Sequence, residues 1–418
     1  MTGSSFAGIK SPKQISKSQI IGFIKRKIFI PKAKKLNGKV IKSMSGIYIH
    51  IPFCRQKCYY CDLYKTVNTS ITGKFISVLK KEILQRKSYL DNKPIETIYF
   101  GGGTPSVLNE NELNEILSFI FEEFKVTTDV EITFEANPDD LTIPYLKSIY
   151  KAGINRLSIG IQSFKNEYLE KMNRRHNAIQ AVESVENAIK IGINNISVDL
   201  IYGLPKLKNE DWNASLNQVF QLPVHHLSAY HLTYHKGTVF YNWLKKGTLK
   251  ELEETDSITQ FNMLVETAQK NGFQQYEISN FAKNEMYSKH NISYWMGKNY
   301  LGLGPSAHSF NGVSRRWNVS NIESYMKEIE NNHSYFEEEI LNENEKYNEY
   351  ILTRIRTIWG VSIDFIRNNF GEEKAAHFQK NIKKYKSSNL VIQKNGIFTL
   401  SKKGLFISDE IMANLMII

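Results

Sequence analysis

The chain has 418 residues, 41% of them hydrophobic, and a formal net charge of +12. That length implies roughly two domains with buried cores, and no apolar run approaches the roughly 20 residues of a membrane span. Nor does the charge mark a nucleic-acid-binding body: residues 1–43 hold ten Lys, one Arg and no Asp or Glu, so +11 sits there and the rest is nearly neutral.

That first segment reads as a basic leader, disordered by itself. An organellar transit peptide, a basic arm for nucleic acid or an anionic membrane surface, and an extension upstream of a start at Met44 are its competing readings. Its most apolar part, 20–30, is interrupted by Lys25, Arg26 and Lys27 and is no membrane anchor.

From Gly46 onward, strand-like runs alternate with helical segments. The runs cover 46–52, 97–103, 131–138, 156–164, 195–205 and 225–234, several rich in apolar and β-branched residues as buried parallel strands are. Between them, Leu113, Ile116, Leu117, Ile120, Phe121 and Phe124 recur at helical spacing. Pro144 and Gly153 suit a helix start and stop. An internal echo supports repeated units, with KAGINRLSIG beginning at Lys151 and KIGINNISVD at Lys190. Strand–helix alternation predicts an α/β fold, a partial (β/α)6 barrel, with functional residues in loops at the C-terminal strand ends.

The barrel domain is expected over 44–335. Residues 337–349 are acidic and polar, and read as a linker or an exposed helix start. Helices at 350–360 and 363–370, a hairpin at Asn395-Gly396 and a last helix over 404–417 predict a small, mostly helical, winged-helix-like domain over 336–418. No basic recognition face stands out in it, so no nucleic-acid partner is expected.

Chemistry concentrates in one loop. The only three Cys, Cys54, Cys58 and Cys61, are spaced C-x₃-C-x₂-C. An odd number this tightly grouped is no disulfide framework and suits a reducing, cytoplasmic setting. Close thiolates can wrap an iron–sulfur cluster, three ligands leaving one of four irons open. Zinc is the alternative, with His50 as a fourth ligand. The strand-ending turn Gly101-Gly102-Gly103-Thr104-Pro105 lets bare backbone approach a neighbour closely.

The three-Cys loop after strand one, GGGTP after strand two and YIHIPFC over 48–54 resemble the radical S-adenosylmethionine (SAM) superfamily. More narrowly, they resemble the oxygen-independent coproporphyrinogen oxidases and their relatives, the HemW heme chaperones. The resemblance runs from about Met44 to the C-terminus. It implies a [4Fe-4S] cluster on Cys54, Cys58 and Cys61, with SAM on the open iron. The implied SAM site comprises Tyr48, Tyr60, Gly102, Gly103, Thr104, Glu135, Gln162, Arg174 and Asp199.

Two functions follow from the resemblance: oxidative decarboxylation of coproporphyrinogen propionates, or binding of heme and its transfer to an acceptor protein. The oxidases continue the loop to a fourth Cys where this chain has Leu63, and the Lys-rich leader does not look like their N-terminal arm. His290-Asn291-Ile292-Ser293-Tyr294-Trp295 matches the H-N-x-x-Y-W motif of the HemW group. The expected function is therefore a heme chaperone using cluster, SAM and heme, with His290, Tyr294 and Trp295 on the heme. An acceptor protein is the expected partner, with an electron donor where SAM is cleaved. The competing reading of His290 is a polar residue capping or bridging inside the domain, and the Gly residues and His308 of YLGLGPSAHSF over 300–310, which also fits the family, read as a tight loop.

Overall fold

The computed structural model describes residues 45–418, so the leader of 1–43 lies outside the described residues. The described chain divides into two units, one of 45–293 with 298–339, the other of Tyr294–Gly297 with Ile340–Ile418.

The first unit is built on β1 (Ser45–Ile51), buried along its length apart from Tyr48. β2 (Ile95–Gly102), β3 (Val126–Ala136), β4 (Arg156–Gln162), β5 (Asn195–Tyr202) and β6 (His226–His231) follow, each parallel to its predecessor. Parallel strands need crossovers, and helices supply them: α1 (Thr72–Arg86), α2 (Glu110–Glu123), α3 (Ile143–Lys151), α4 (Ala178–Ile191) and α5 (Asn209–Gln221). Asn109 with Glu112 and Asn177 with Gln180 form capping boxes that start α2 and α4. α2 buries Leu113, Ile116, Leu117 and Ile120 as its periodicity predicts, whereas Phe121, at the flank of that stripe, is exposed. The internal echo corresponds to two successive helix–strand units, α3–β4 and α4–β5.

The sheet extends further than the six expected strands. β7 (Gln274–Gln275) and β8 (Asn280–Ala282) continue it beyond β6. β9 (Asn299–Leu303), β10 (His308–Phe310), β11 (Ser314–Asn318) and β12 (Phe336–Ile340) continue it beyond β1. β9 is parallel to β1 and makes a seventh parallel strand; of the loop expected over 300–310 only the return between Leu303 and His308 is a turn, its flanks belonging to β9 and β10. β12 corrects the linker reading of 337–340. Its sequence FEEEI does not alternate because it is an edge strand with little to bury, and its charges also discourage edge pairing.

A buried ionic network ties α1 to this extension. Glu82, fully buried, accepts from the Gly304 amide at 2.8 Å, Asn318 Nδ2 at 2.6 Å and the Tyr325 hydroxyl at 2.5 Å. Arg86 lies 3.7 Å from Glu82 and donates to Ser309 Oγ at 2.9 Å.

In the second unit, helices at Glu343–Arg354, Ile363–Phe370, Glu372–Ser387 and Ser408–Leu415 enclose a core that includes Tyr347, Ile351, Ile366, Phe378 and Met412. A three-stranded sheet accompanies them, with the hairpin Val391–Lys394 and Ile397–Leu400 turning at Asn395-Gly396 as predicted. The expected last helix is two, Lys402–Phe406 and Ser408–Leu415, broken at Ile407. No helix among the described residues is long and apolar enough to cross a membrane.

Removing one partner of a buried pair strands the other charge. Glu82→Ala is expected to lower the unfolding free energy by about 3–5 kcal/mol, measured by urea titration; a cost below about 1 kcal/mol would show that the network does not hold the extension.

Candidate cofactor and ligand site

Alternation along the parallel strands turns one residue in two toward the barrel interior. Arg156, Ser158, Gly160 and Gln162 of β4, Asp199 and Ile201 of β5, and Ser228 and Tyr230 of β6 all line one cavity of about 550 Å³. Tyr99 of β2, Glu135 of β3 and all three cysteines line it as well. Of the expected SAM-site residues only Tyr48 is set back from it, with its ring 6.0 Å from that of Tyr99.

The cysteine loop is held from three sides. The Cys54 amide donates to the Thr66 carbonyl at 2.9 Å and the Thr66 amide to the Pro52 carbonyl at 2.7 Å, closing the loop on itself. The end of β2 docks against it: the Gly103 amide donates to Ile51 O at 2.8 Å and the Thr104 amide to Phe53 O at 2.7 Å. A Cβ on Gly103 would come within 2.6 Å of Phe53 O, and one on Gly102, whose φ is +101°, within 2.5 Å of the His50 ring. The glycines are therefore required for packing strand end against loop, whatever ligand they also meet. From the third side, the Tyr59 amide donates to Met172 O at 3.1 Å and Asn173 Nδ2 to Lys57 O at 2.8 Å.

The donor set fits a cluster better than a single zinc. His50 is committed elsewhere: its Nε2 is 3.0 Å from Tyr64 O, its Nδ1 3.3 Å from the Tyr48 hydroxyl, and burial lowers it to about 4. The thiols are free. Cys54 Sγ is 3.1 Å from Thr104 Oγ1, and Arg174 Nη1 donates to Cys58 Sγ at 3.3 Å. Arg174 is aimed by two further bonds of 2.6 Å, to Asn137 Oδ1 and Gly160 O. A guanidinium so placed stabilises thiolate and attracts an anionic ligand at the cluster.

Farther along the cavity stand two carboxylates. Glu135 accepts from the Tyr99 hydroxyl at 2.8 Å and the Gly102 amide at 3.2 Å, and burial raises it to about 7. Asp199 accepts from Ser158 Oγ at 3.1 Å, and burial raises it to about 6. Gln162 closes β4 at a positive φ of 67°, beyond a register shift in the β4–β5 ladder.

The Radical SAM superfamily model matches residues 48–219 and the HemN C-terminal domain model matches 341–407. The heme chaperone HemW of Bacillus subtilis is 33% identical over 371 residues, covering 88% of this chain and 98% of that protein. The chain belongs to the HemW family of radical SAM proteins. The mouse protein named radical S-adenosyl methionine domain-containing protein 1, mitochondrial, is 33% identical over 296 residues, covering 68% of this chain and 66% of its own length. Coproporphyrinogen III oxidase (HemN) of Escherichia coli superposes with a TM-score of 0.79 over 97% of this chain and 95% of its own, at 21% identity, which shows the shared fold.

Family membership brings a [4Fe-4S] cluster and SAM as cofactors, and when bound here they supply one-electron radical chemistry. The chain's own contribution is to offer three thiols, aim Arg174 beside them, and line the adjoining space with Glu135, Gln162 and Asp199.

The HemW-family motif is not gathered at this cavity. His290, on the helix Lys289–Trp295, is buried; its Nδ1 is 2.7 Å from Thr97 Oγ1 and its backbone amide donates to Glu131 Oε1 at 3.1 Å. Burial lowers it to about 3, so the ring is neutral. Ring and backbone amide together tie the residue to Thr97 and Glu131, and Asn291, not His290, lines the cavity. Tyr294 and Trp295 group with the second unit, where Trp295 lies under the Arg356 guanidinium at 4.8 Å. Sequence reasoning also missed Arg156, Tyr99 and Ser158. The available signal was the two-residue period of RLSIGIQ, which sets Arg156 on the same face as Gln162.

Reconstituted without oxygen, the protein is expected to hold about four irons per chain. Ala at Cys54, Cys58 or Cys61 should abolish the cluster signal in electron paramagnetic resonance, and one zinc with no iron would contradict the assignment. A second expectation concerns pH. Glu135 binds its proton more tightly folded than unfolded, so its contribution to stability is full below about 4.5 and is lost as pH rises through about 7. Glu135→Gln is expected to flatten stability against pH across that window, read by urea titration of the cluster-free protein. An unchanged slope would count against the raised carboxyl.

Proposed function

We propose that this chain is a heme chaperone: it holds a SAM-ligated [4Fe-4S] cluster in the barrel, binds heme, and passes it to an acceptor protein. The observation that carries this reading is similarity to a heme chaperone over nearly its whole length, combined with Leu63 in place of the fourth Cys of the oxidases. Leu63 lines the cavity and is 51% exposed, so an apolar side chain faces outward where the oxidase pattern has a thiol. A reductant is required where SAM is cleaved. Three free thiols serving as cluster ligands call for a reducing setting, the cytoplasm.

The segment His290 to Trp295 is proposed as the heme element on its motif. Ligation through Nδ1 requires release of its 2.7 Å contact with Thr97, so Thr97 competes with iron for that nitrogen.

The test is anaerobic reconstitution with parallel assays. Stoichiometric heme binding without conversion of coproporphyrinogen III is expected, and sustained SAM-dependent decarboxylation would overturn the reading. Thr97→Val, which keeps the side-chain shape and removes the competing hydroxyl, is expected to tighten heme binding about fivefold, the worth of one hydrogen bond. Unchanged binding would exclude ligation through Nδ1 of His290.

A further inference from the structure

Arg156 opens β4 with its side chain inside the barrel. The residue is 1% exposed, lines the cavity, and its Nε has no hydrogen-bond partner. Among the described residues no hydrogen bond or ion pair engages its guanidinium. Glu135 and Asp199 share the cavity but accept from other donors, the Tyr99 hydroxyl with the Gly102 amide, and Ser158. A guanidinium has five N–H donors and a permanent charge. Glu135 and Asp199 are charged neighbours of Arg156 in the cavity, but neither accepts from it, so its N–H donors remain available to a ligand, and a planar anion fits their fork.

Position separates this anion from one bound at the cluster. In register Arg156 pairs with Thr133, Thr133 with Tyr99 and Tyr99 with Tyr48. That row lies three residues before β1 ends at Ile51, roughly 10 Å along the strand from the start of the cysteine loop. Arg174, by contrast, touches Cys58 Sγ. The cavity therefore has a guanidinium at each end. SAM carries one carboxylate, and Arg174, beside the cluster thiols, is the guanidinium placed to serve it. The far guanidinium is left for a second ligand.

We propose that Arg156 is the carboxylate-binding residue of the barrel floor and takes a propionate arm of the tetrapyrrole in a two-pronged contact. This rests on the heme reading above. A cavity of about 550 Å³ is of the size that holds one drug-sized ligand. Beside SAM it admits an arm of a macrocycle, not the whole ring.

The test uses the full-length, cluster-loaded protein, its Arg156→Met and Arg156→Lys variants, and titrations with ferric heme, heme dimethyl ester and SAM. Arg156→Met is expected to weaken heme binding about ten- to a hundredfold, as loss of a charge-assisted pair does, and to leave SAM binding unchanged. Wild type should bind the ester as weakly as Arg156→Met does, and the variant should no longer distinguish ester from acid. Arg156→Lys, with the charge but not the fork, should fall between. The melting temperature of Arg156→Met should change little, because the substitution breaks no hydrogen bond.

Equal heme affinity in wild type and Arg156→Met overturns the proposal and leaves the chaperone reading intact. Equal losses for heme and its ester, with a lowered melting temperature, assign Arg156 a structural role and also overturn it. Loss of SAM binding with heme binding retained makes SAM the source of the carboxylate and overturns the propionate assignment. Absence of heme binding by wild type defeats the chaperone reading itself, and the propionate assignment with it.

Discussion

The site depends on one backbone contact, the docking of the β2 end onto the cysteine loop. Two amides, Gly103 and Thr104, donate to the carbonyls of Ile51 and Phe53 at 2.8 and 2.7 Å. That approach exists only because neither Gly102 nor Gly103 has a Cβ. With the loop pinned there, Cys54 lies against Thr104 and the loop's far side reaches Met172 and Asn173. Those residues precede Arg174, so the same anchoring sets a guanidinium on the Cys58 thiol. The cysteines, the glycine turn and the arginine are thus one mechanical unit assembled from three βα loops.

Much of this was legible in the residues. The three-Cys spacing, the glycine turn and the polar residues at strand ends carried the cavity, because in a parallel α/β fold such residues converge on one end. The six barrel strands were readable from apolar, β-branched runs, and the C-terminal hairpin from Asn395-Gly396. What escaped detection depends on tertiary context. Arg156 looks like a turn residue after Asn155, and only register shows that it faces inward. The strand at 336–340 lacks alternation because it is an edge. The burial of His290 comes from Thr97 and Glu131, more than 150 residues away in sequence, and no local pattern reports it.

The barrel interior is polar throughout its depth, which is expensive for a core and informative about use. His226 and His290 are both held neutral by burial, with their rings bonded to Ser197 and Tyr276 in one case and to Thr97 in the other. Glu135 and Asp199 are pushed toward neutrality by the same burial. Arg156 is the exception, since its charge is permanent.

Cys54, Cys58 and Cys61, which line this cavity, would hold a four-iron cluster and leave one iron for SAM. Mössbauer spectroscopy of protein reconstituted with iron-57, recorded with and without SAM, tests this assignment most directly. About one iron in four is expected to change its isomer shift on adding SAM while the others stay thiolate-like. A spectrum that SAM leaves unchanged would contradict it.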